Sequence, residues 1–257
     1  MSQLTFTKMH GLGNDFVVLE GPLSLSPKTI ATLCDRHIGI GADGLMIVSP
    51  LNNGVRMEYW NADGSVAEMC GNGLRCVARF AIEHKLVKPG KFSVETAVGS
   101  LKVDWSGDRA DLIEVQVGKV TTDAKPIIIC DTTFYTASVG NPHAITFVDS
   151  SDQAPVKSLG PQVETDQYFP NKTNVEFAEV IDDSNVRLRI WERGVGETLA
   201  CGTGMVATAV VASKLGKTKF PLTIEVPGGS SKTWIDEDGF MRLSGPAQNV
   251  FSGSVEI

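Results

Sequence analysis

Two short stretches of the chain alternate apolar and polar residues with a period of two, VRMEYW at 55–60 and VRLRIW at 186–191. Such alternation, carrying β-branched and aromatic residues, predicts a strand at each place. Downstream of each lies an apolar segment rich in Ala and free of internal Pro, LRCVARFAIEHKLV at 74–87 and MVATAVVASKLG at 205–216. Length and Ala content predict helices there, with Pro89-Gly90 and Gly216 as stop signals. The second is apolar on nearly every side, so it is expected to be buried, wrapped by sheet. Frequent short strands and Gly turns elsewhere predict mixed, largely antiparallel sheets in an α+β architecture. The polar, Pro-containing stretch 150–170 reads as a surface insertion with a short helical turn.

The two strand–helix units are near copies. Residue 55 answers 186, and Cys70-Gly71-Asn72-Gly73 answers Cys201-Gly202-Thr203-Gly204 at the same offset of 131. Ser93-Val94-Glu95 answers Thr223-Ile224-Glu225, and Gly99-Ser100 answers Gly229-Ser230, at an offset of 130. Gly13-Asn14 resembles Gly140-Asn141 at an offset of 127. The repeat implies two homologous domains, residues 1–118 and 119–247, joined near Gly118 to Thr122, with the last strand, 248–257, assigned to the first.

Composition excludes more than it reveals. The 257 residues are 42% hydrophobic and 21% charged, ordinary for a soluble globular protein. A net charge of −7 with no basic cluster argues against nucleic acid and anionic membrane as partners. There is no run of 18 apolar residues, and MSQLTFTKMHGLGNDF lacks the parts of a signal peptide. Five scattered cysteines, Cys34, Cys70, Cys76, Cys130 and Cys201, read as reduced thiols of a cytoplasmic protein. With four His and no Cys-x-x-Cys, no metal site is expected. Cys34, Cys76 and Cys130 are expected in the core.

Cys70 and Cys201 differ from the other three in the residues on their C-terminal side. A cysteine ahead of a Gly-rich turn and a helix sits beside unpaired backbone N–H groups and the positive end of the helix dipole. Both favour the thiolate, and the same N–H groups suit a carboxylate ligand. One such loop is as well explained by an inert structural cysteine. Two, at equivalent places in two domains, point to a pair. If the domains face each other about a pseudo-twofold axis, two sulfurs can flank one carbon, one removing its proton and the other returning one. No cofactor site is recognised, so fixed N–H donors and helix dipoles must stabilise the carbanion.

The stretches KMHGLGNDF (8–16), RHIGIGADG (36–44), WNADGSVAEMCGNGLRC (60–76), GNPHA (140–144) and WERGVGETLACGTG (191–204) together resemble the diaminopimelate epimerase family. The resemblance runs from Thr7 to the C-terminal strand. It implies two domains, each a β-barrel-like sheet around a central helix, and a cofactor-independent, homodimeric isomerase. Its reaction would convert L,L-diaminopimelate to the meso form, on the route to lysine and peptidoglycan. The implied acid and base are Cys70 and Cys201, assisted by His143 and Glu192. Gly71, Asn72, Gly202 and Thr203 would bind the reacting carboxylate through backbone N–H groups. Asn14, Asn61, Asn141 and Asn174 would line the pocket, and Glu192 and Arg193 would hold the amino and carboxylate groups, with Arg193 suited to a bidentate grip on the far carboxylate. Some relatives carry Gln where this chain has Gly44, which removes one polar contact. Thr203, where some relatives have Ser, keeps the backbone N–H.

Three other readings stand beside this one: a racemase of another amino acid on the same scaffold, a thiol redox protein bridging Cys70 to Cys201, and a non-catalytic binding module. Asn14 and Asn141 also suit plain turns, His143 a satisfied core position, and Glu192-Arg193 a surface ion pair.

Overall fold

The computed structural model describes residues 3–67, 69–106, 108 and 112–257. Along the chain run β1 (Gln3–Gly11), β2 (Asn14–Glu20), α1 (Pro27–Cys34), β3 (Gly44–Leu51), β4 (Gly54–Asn61), α2 (Gly71–Glu83), β5 (Gly90–Thr96), β6 (Gly99–Trp105) and β7 (Ile113–Gly118). The second series is β8 (Thr121–Thr122), β9 (Ile127–Ile129), β10 (Thr132–Ser138), β11 (Pro142–Phe147), α3 (Val156–Glu164), β12 (Asn174–Asp182), β13 (Asn185–Glu192), β14 (Gly196–Thr198), α4 (Gly202–Lys214), β15 (Leu222–Val226), β16 (Gly229–Ile235), β17 (Met241–Gly245) and β18 (Gln248–Glu256). Contacts divide the chain into two compact units, Met1–Val115 with Gly245–Ile257, and Gln116–Ser244. The architecture is α+β and dominated by sheet.

Both units are built to one plan. In the first, β2 runs parallel to β3, β3 antiparallel to β4, and β4 parallel to β5. In the second, β11, β12, β13 and β15 repeat that order and those directions. The register repeats as well: Val55 pairs with Val94 as Val186 pairs with Ile224, and Thr96 with Gly99 as Val226 with Gly229. β18 completes the first unit by pairing antiparallel with β1 along its length.

Each unit closes around a helix. α2 packs on β1, β2, β3, β4 and β6, and α4 on β10, β11, β12 and β15. α4 is buried from Gly202 to Ala212, as its all-round apolar surface requires. Both helices begin three residues earlier than apolar periodicity indicated, at Gly71 and Gly202, which makes each cysteine the N-cap itself. α2 also stops early. Lys85 turns left-handed (φ 60°) and Leu86 N–H closes on the Ala81 carbonyl, so the helix ends before Pro89. Gly216 (φ 69°) and Lys217 end α4 the same way.

Two expectations are corrected. Residues 150–170 are no surface insertion: they hold α3, nine residues long, whose Val156, Leu159 and Val163 join a core cluster with Phe134, Val175 and Phe177. Cys130 is not core: it is exposed, with Asp131 in the two-residue turn between β9 and β10, both at positive φ. Cys34 and Cys76 are buried, and burial pushes their thiols up to about 11 and about 12, which keeps both protonated and inert. Among the described residues no helix is long and apolar enough to cross a membrane, and no cluster of His, Cys, Asp and Glu is placed to hold a metal ion.

Candidate active site

In the first unit the site is built from a hairpin, a strand end and a helix start. Leu12 and Gly13 (φ 56° and 84°) form a two-residue turn that delivers Asn14 as the first residue of β2. Asn14 donates from Nδ2 to Asp43 Oδ2 (2.8 Å), which turns its Oδ1 toward Cys70 Sγ (3.3 Å) and Asn72 Nδ2 (3.5 Å). Asp43 is fixed by Arg36 (2.7 Å), and Arg36 also grips both oxygens of Asp15. Lys8 adds a 2.6 Å ion pair to Asp15. Burial pushes the Asp15 carboxyl up, but hydrogen bonds from Arg36 and Lys8 outweigh it and hold the group well below the usual carboxylate range. This network anchors Asn14, and Asn14 meets the thiol.

Cys70 itself is extended (φ −142°, ψ 117°), and its Sγ accepts the Gly73 N–H at 3.4 Å. Two glycines let the chain pass closely here, Gly73 in the loop and Gly11 at the end of β1. A Cβ on Gly73 would fall 1.9 Å from Met46 Cε, and one on Gly11 would fall 2.9 Å from the Asn72 carbonyl oxygen.

The second unit repeats the design with different side chains. Cys201 caps α4 in the same conformation (φ −127°, ψ 114°) and is buried. Thr203 Oγ1 lies 3.4 Å from its Sγ and accepts from Asn141 Nδ2 (3.2 Å). Asn141 Oδ1 faces His143 Nε2 (3.1 Å), and His143 Nδ1 faces Glu176 Oε1 (2.7 Å). Burial pushes the Cys201 thiol well above its ordinary value, and Glu192 and Glu176 push it the same way when they are ionised. The Thr203 hydroxyl and the Gly204 N–H pull the other way.

The remaining expected residues gather in the second unit, apart from Asn61 and Gly44. Asn174 pairs with His143 across β11 and β12; its Oδ1 accepts the Arg193 N–H (3.0 Å) and its Nδ2 donates to the Pro142 carbonyl (2.9 Å). The Arg193 side chain is exposed and touches the Asn171 carbonyl (3.3 Å). Glu192 accepts from Thr198 Oγ1 at 2.5 Å, so Glu192 and Arg193 make separate contacts. Asn61, at the end of β4, donates to Ser65 Oγ (3.0 Å) within its own turn.

Gly44 is closed rather than vacant. A Cβ there would lie 2.5 Å from the Trp60 carbonyl oxygen and 2.6 Å from the Tyr59 ring. The substitution Gly44→Gln is therefore expected to cost about 1–3 kcal/mol by overpacking. Thermal unfolding checks this: an unchanged Tm would show that Tyr59 yields freely.

Three residues near the sulfurs went unread in the sequence: Asp43, Arg75 and Glu176. Glu176 carried the strongest signal, a lone acid inside the apolar run NVEFA two residues after Asn174.

The family model for diaminopimelate epimerase matches residues 6–122 and 135–250. A diaminopimelate epimerase of Caldanaerobacter subterraneus subsp. tengcongensis is 41% identical over 99% of this chain and 100% of its own. Those of Methanococcus maripaludis (strain C6) and Halothermothrix orenii are 38% and 40% identical, each over 99% of this chain and 100% and 99% of their own. Among solved structures, a phenazine biosynthesis protein of the PhzF family from Bacillus anthracis superposes with a TM-score of 0.79 at 14% identity, covering all of both chains. A hydroxyproline epimerase from Agrobacterium vitis superposes at 0.73 and 14% identity, covering 98% of this chain and 92% of its own. At such identity these two share the fold alone. The full-length matches and the family model together show that the chain belongs to the diaminopimelate epimerase family.

Proposed function

We propose that the chain interconverts L,L- and meso-diaminopimelate without a cofactor, using Cys70 and Cys201 as base and acid. The observation that carries this is the equivalence of the two cysteines: each caps a buried helix in the same extended conformation, one in each half. An α-proton beside a carboxylate is weakly acidic, so the step needs a base, an acid and stabilisation of the carbanion at once. The first turn of each helix offers N–H groups with no carbonyl partner inside the helix. Those of Gly71, Asn72, Gly202 and Thr203 hold the reacting carboxylate, and the helix dipoles favour the charge that develops on it.

Burial, with the Glu192 carboxylate adding to it, keeps Cys201 as the thiol, which assigns it the proton given back to the L,L substrate. Cys70, with the Gly73 N–H on its sulfur, takes the α-proton. The reverse direction exchanges the roles, so each sulfur holds both forms in turn. Glu192 and Asn14 orient the amino group and the reacting end. Asn61, Asn174 and Arg193 read the far end, where amide dipoles and one guanidinium match an ammonium and a carboxylate, and Asn141 lines the pocket beside Thr203. His143 supports the Cys201 side. Five free thiols suit a reducing compartment, the cytoplasm.

Proton NMR of L,L-diaminopimelate with the reduced protein in deuterated buffer tests the proposal. Loss of the α-proton signal is expected as the meso isomer appears. A folded, reduced protein that exchanges no α-proton would rule the substrate out, and the same assay across other amino acids would then find the racemase alternative.

A further inference from the structure

Behind Cys201 the second unit buries two ionisable side chains where the first unit buries two apolar ones. Phe16 pairs with Gly44 across β2 and β3, as His143 pairs with Asn174 across β11 and β12. Two residues further along β3 and β12 stand Met46 and Glu176. Each faces the second glycine of its loop: a Cβ on Gly73 would meet Met46 Cε, and one on Gly204 would meet Glu176 Oε1 at 2.7 Å. Phe16 and Met46 show that apolar residues suffice to build this part of the fold. A buried His–Glu pair is no better for stability than well-packed apolar residues. His143 and Glu176, both with no exposed side-chain surface, therefore call for a different reason.

The hydrogen bonds supply one. From Glu176 Oε1 they run through both nitrogens of His143 to Asn141, on to Thr203 Oγ1 and to the sulfur of Cys201. Asn141 Oδ1 can only accept, so His143 Nε2 carries a hydrogen. Thr203 Oγ1 receives a hydrogen from Asn141, which leaves its own O–H to give to the sulfur. One proton lies between His143 Nδ1 and Glu176 Oε1, held either on the acid of a neutral pair or on the imidazolium of an ion pair. The other oxygen, Oε2, is buried without a hydrogen-bond partner, a position far costlier for a carboxylate than for the carbonyl of an acid. Burial pushes the Glu176 carboxyl up, against the pull of His143.

We infer that Glu176 is a positioning residue: as a buried carboxylic acid it donates to His143 Nδ1 and so orders a one-way row of donors that ends on Cys201. The row offsets what burial costs the Cys201 thiolate. A neutral Glu176 adds no negative charge beside it, and Glu192 is the remaining acid acting on this sulfur. The inference rests on the reading of Cys201 as an acid–base group.

The test compares Glu176→Met, Glu176→Gln and Cys201→Ala in the conversion of L,L- to meso-diaminopimelate, with KM and Tm measured on each. Met copies the residue that stands at this place in the first unit, and Gln can donate to Nδ1 as the acid does. Glu176→Met is expected to lower kcat at least about tenfold with KM near wild type, because the donor row is lost but no substrate contact is, and to lower Tm by no more than the loss of one buried hydrogen bond does. Glu176→Gln is expected to restore kcat to within about threefold, the span of an exchanged neutral donor. If Glu176→Met keeps or raises kcat while Cys201→Ala is inactive, the donor row is wrong and the two-cysteine reading stands. If Gln is as poor as Met, Glu176 acts as a carboxylate and the inference falls. Activity in Cys201→Ala overturns the underlying reading itself.

Discussion

Cys70→Ala and Cys201→Ala are each expected to cut epimerase turnover by about three orders of magnitude or more, toward the upper end for a lost proton-transfer group. Either loss alone should be nearly complete, because inversion needs a base on one face and an acid on the other. The two changes together should therefore cost little more than one, as for groups acting as a unit. Stability should move little. Cys70 caps α2 through one sulfur–N–H contact of 3.4 Å, and the loss of a cap costs about 1 kcal/mol. Cys201 is buried, and trimming one sulfur from that site leaves a small cavity of similar cost. Turnover beside Tm on the two variants separates the outcomes. A Tm near wild type with turnover gone fits the pair. Near-normal turnover in either variant would end the two-base reading, and a binding module or redox protein would then explain the thiols better.

Much of this construction could be read from the sequence, and for a physical reason. Duplication writes the same strand–loop–helix signal twice, so weak local signals such as VRMEYW and VRLRIW reinforce each other at a fixed offset. Both repeated elements exist and pair in equivalent register. What escaped was local structure that defies its own chemistry. α3 carries Gly160 and Pro161, two helix-poor residues, yet its Val156, Leu159 and Val163 lie on one face. The glycine is there to pass the Trp191 ring, where a Cβ would come within 2.7 Å of Cγ. The turn at Cys130-Asp131 takes a left-handed pair of residues without the Asn-Gly that would announce it. Glu176 and Arg75 escaped because burial of an ionisable side chain depends on partners supplied from far along the chain, which no window of sequence displays.

Arg75→Met is expected to destabilise the protein by about 3 kcal/mol, the scale for removing one side of a buried polar network, and to lower turnover as well. Arg75 is among the largest side chains with no exposed surface at all, and burial lowers its guanidinium to about 10. It lies one turn into α2 and donates to three acceptors: the Pro246 carbonyl (3.0 Å), Asn72 Oδ1 (2.7 Å) and the Gly71 carbonyl (3.4 Å). The first bond ties the helix to the segment that leads into β18. The second fixes the Asn72 carboxamide with its Nδ2 toward Asn14, and so sets the side chains around Cys70. Met fills much of the volume but supplies no hydrogen to the Pro246 carbonyl or to Asn72 Oδ1. The charge matters too, since the guanidinium is attracted by a thiolate at Cys70. Arg75→Lys should recover little, because one ammonium cannot reach acceptors arrayed for a planar fork. Urea unfolding gives the first quantity and the rate of meso-diaminopimelate formation the second. A stability loss with turnover intact would confine Arg75 to holding β18. Loss of both, not rescued by Lys, would place this buried cation behind the first cysteine as the donor row stands behind the second.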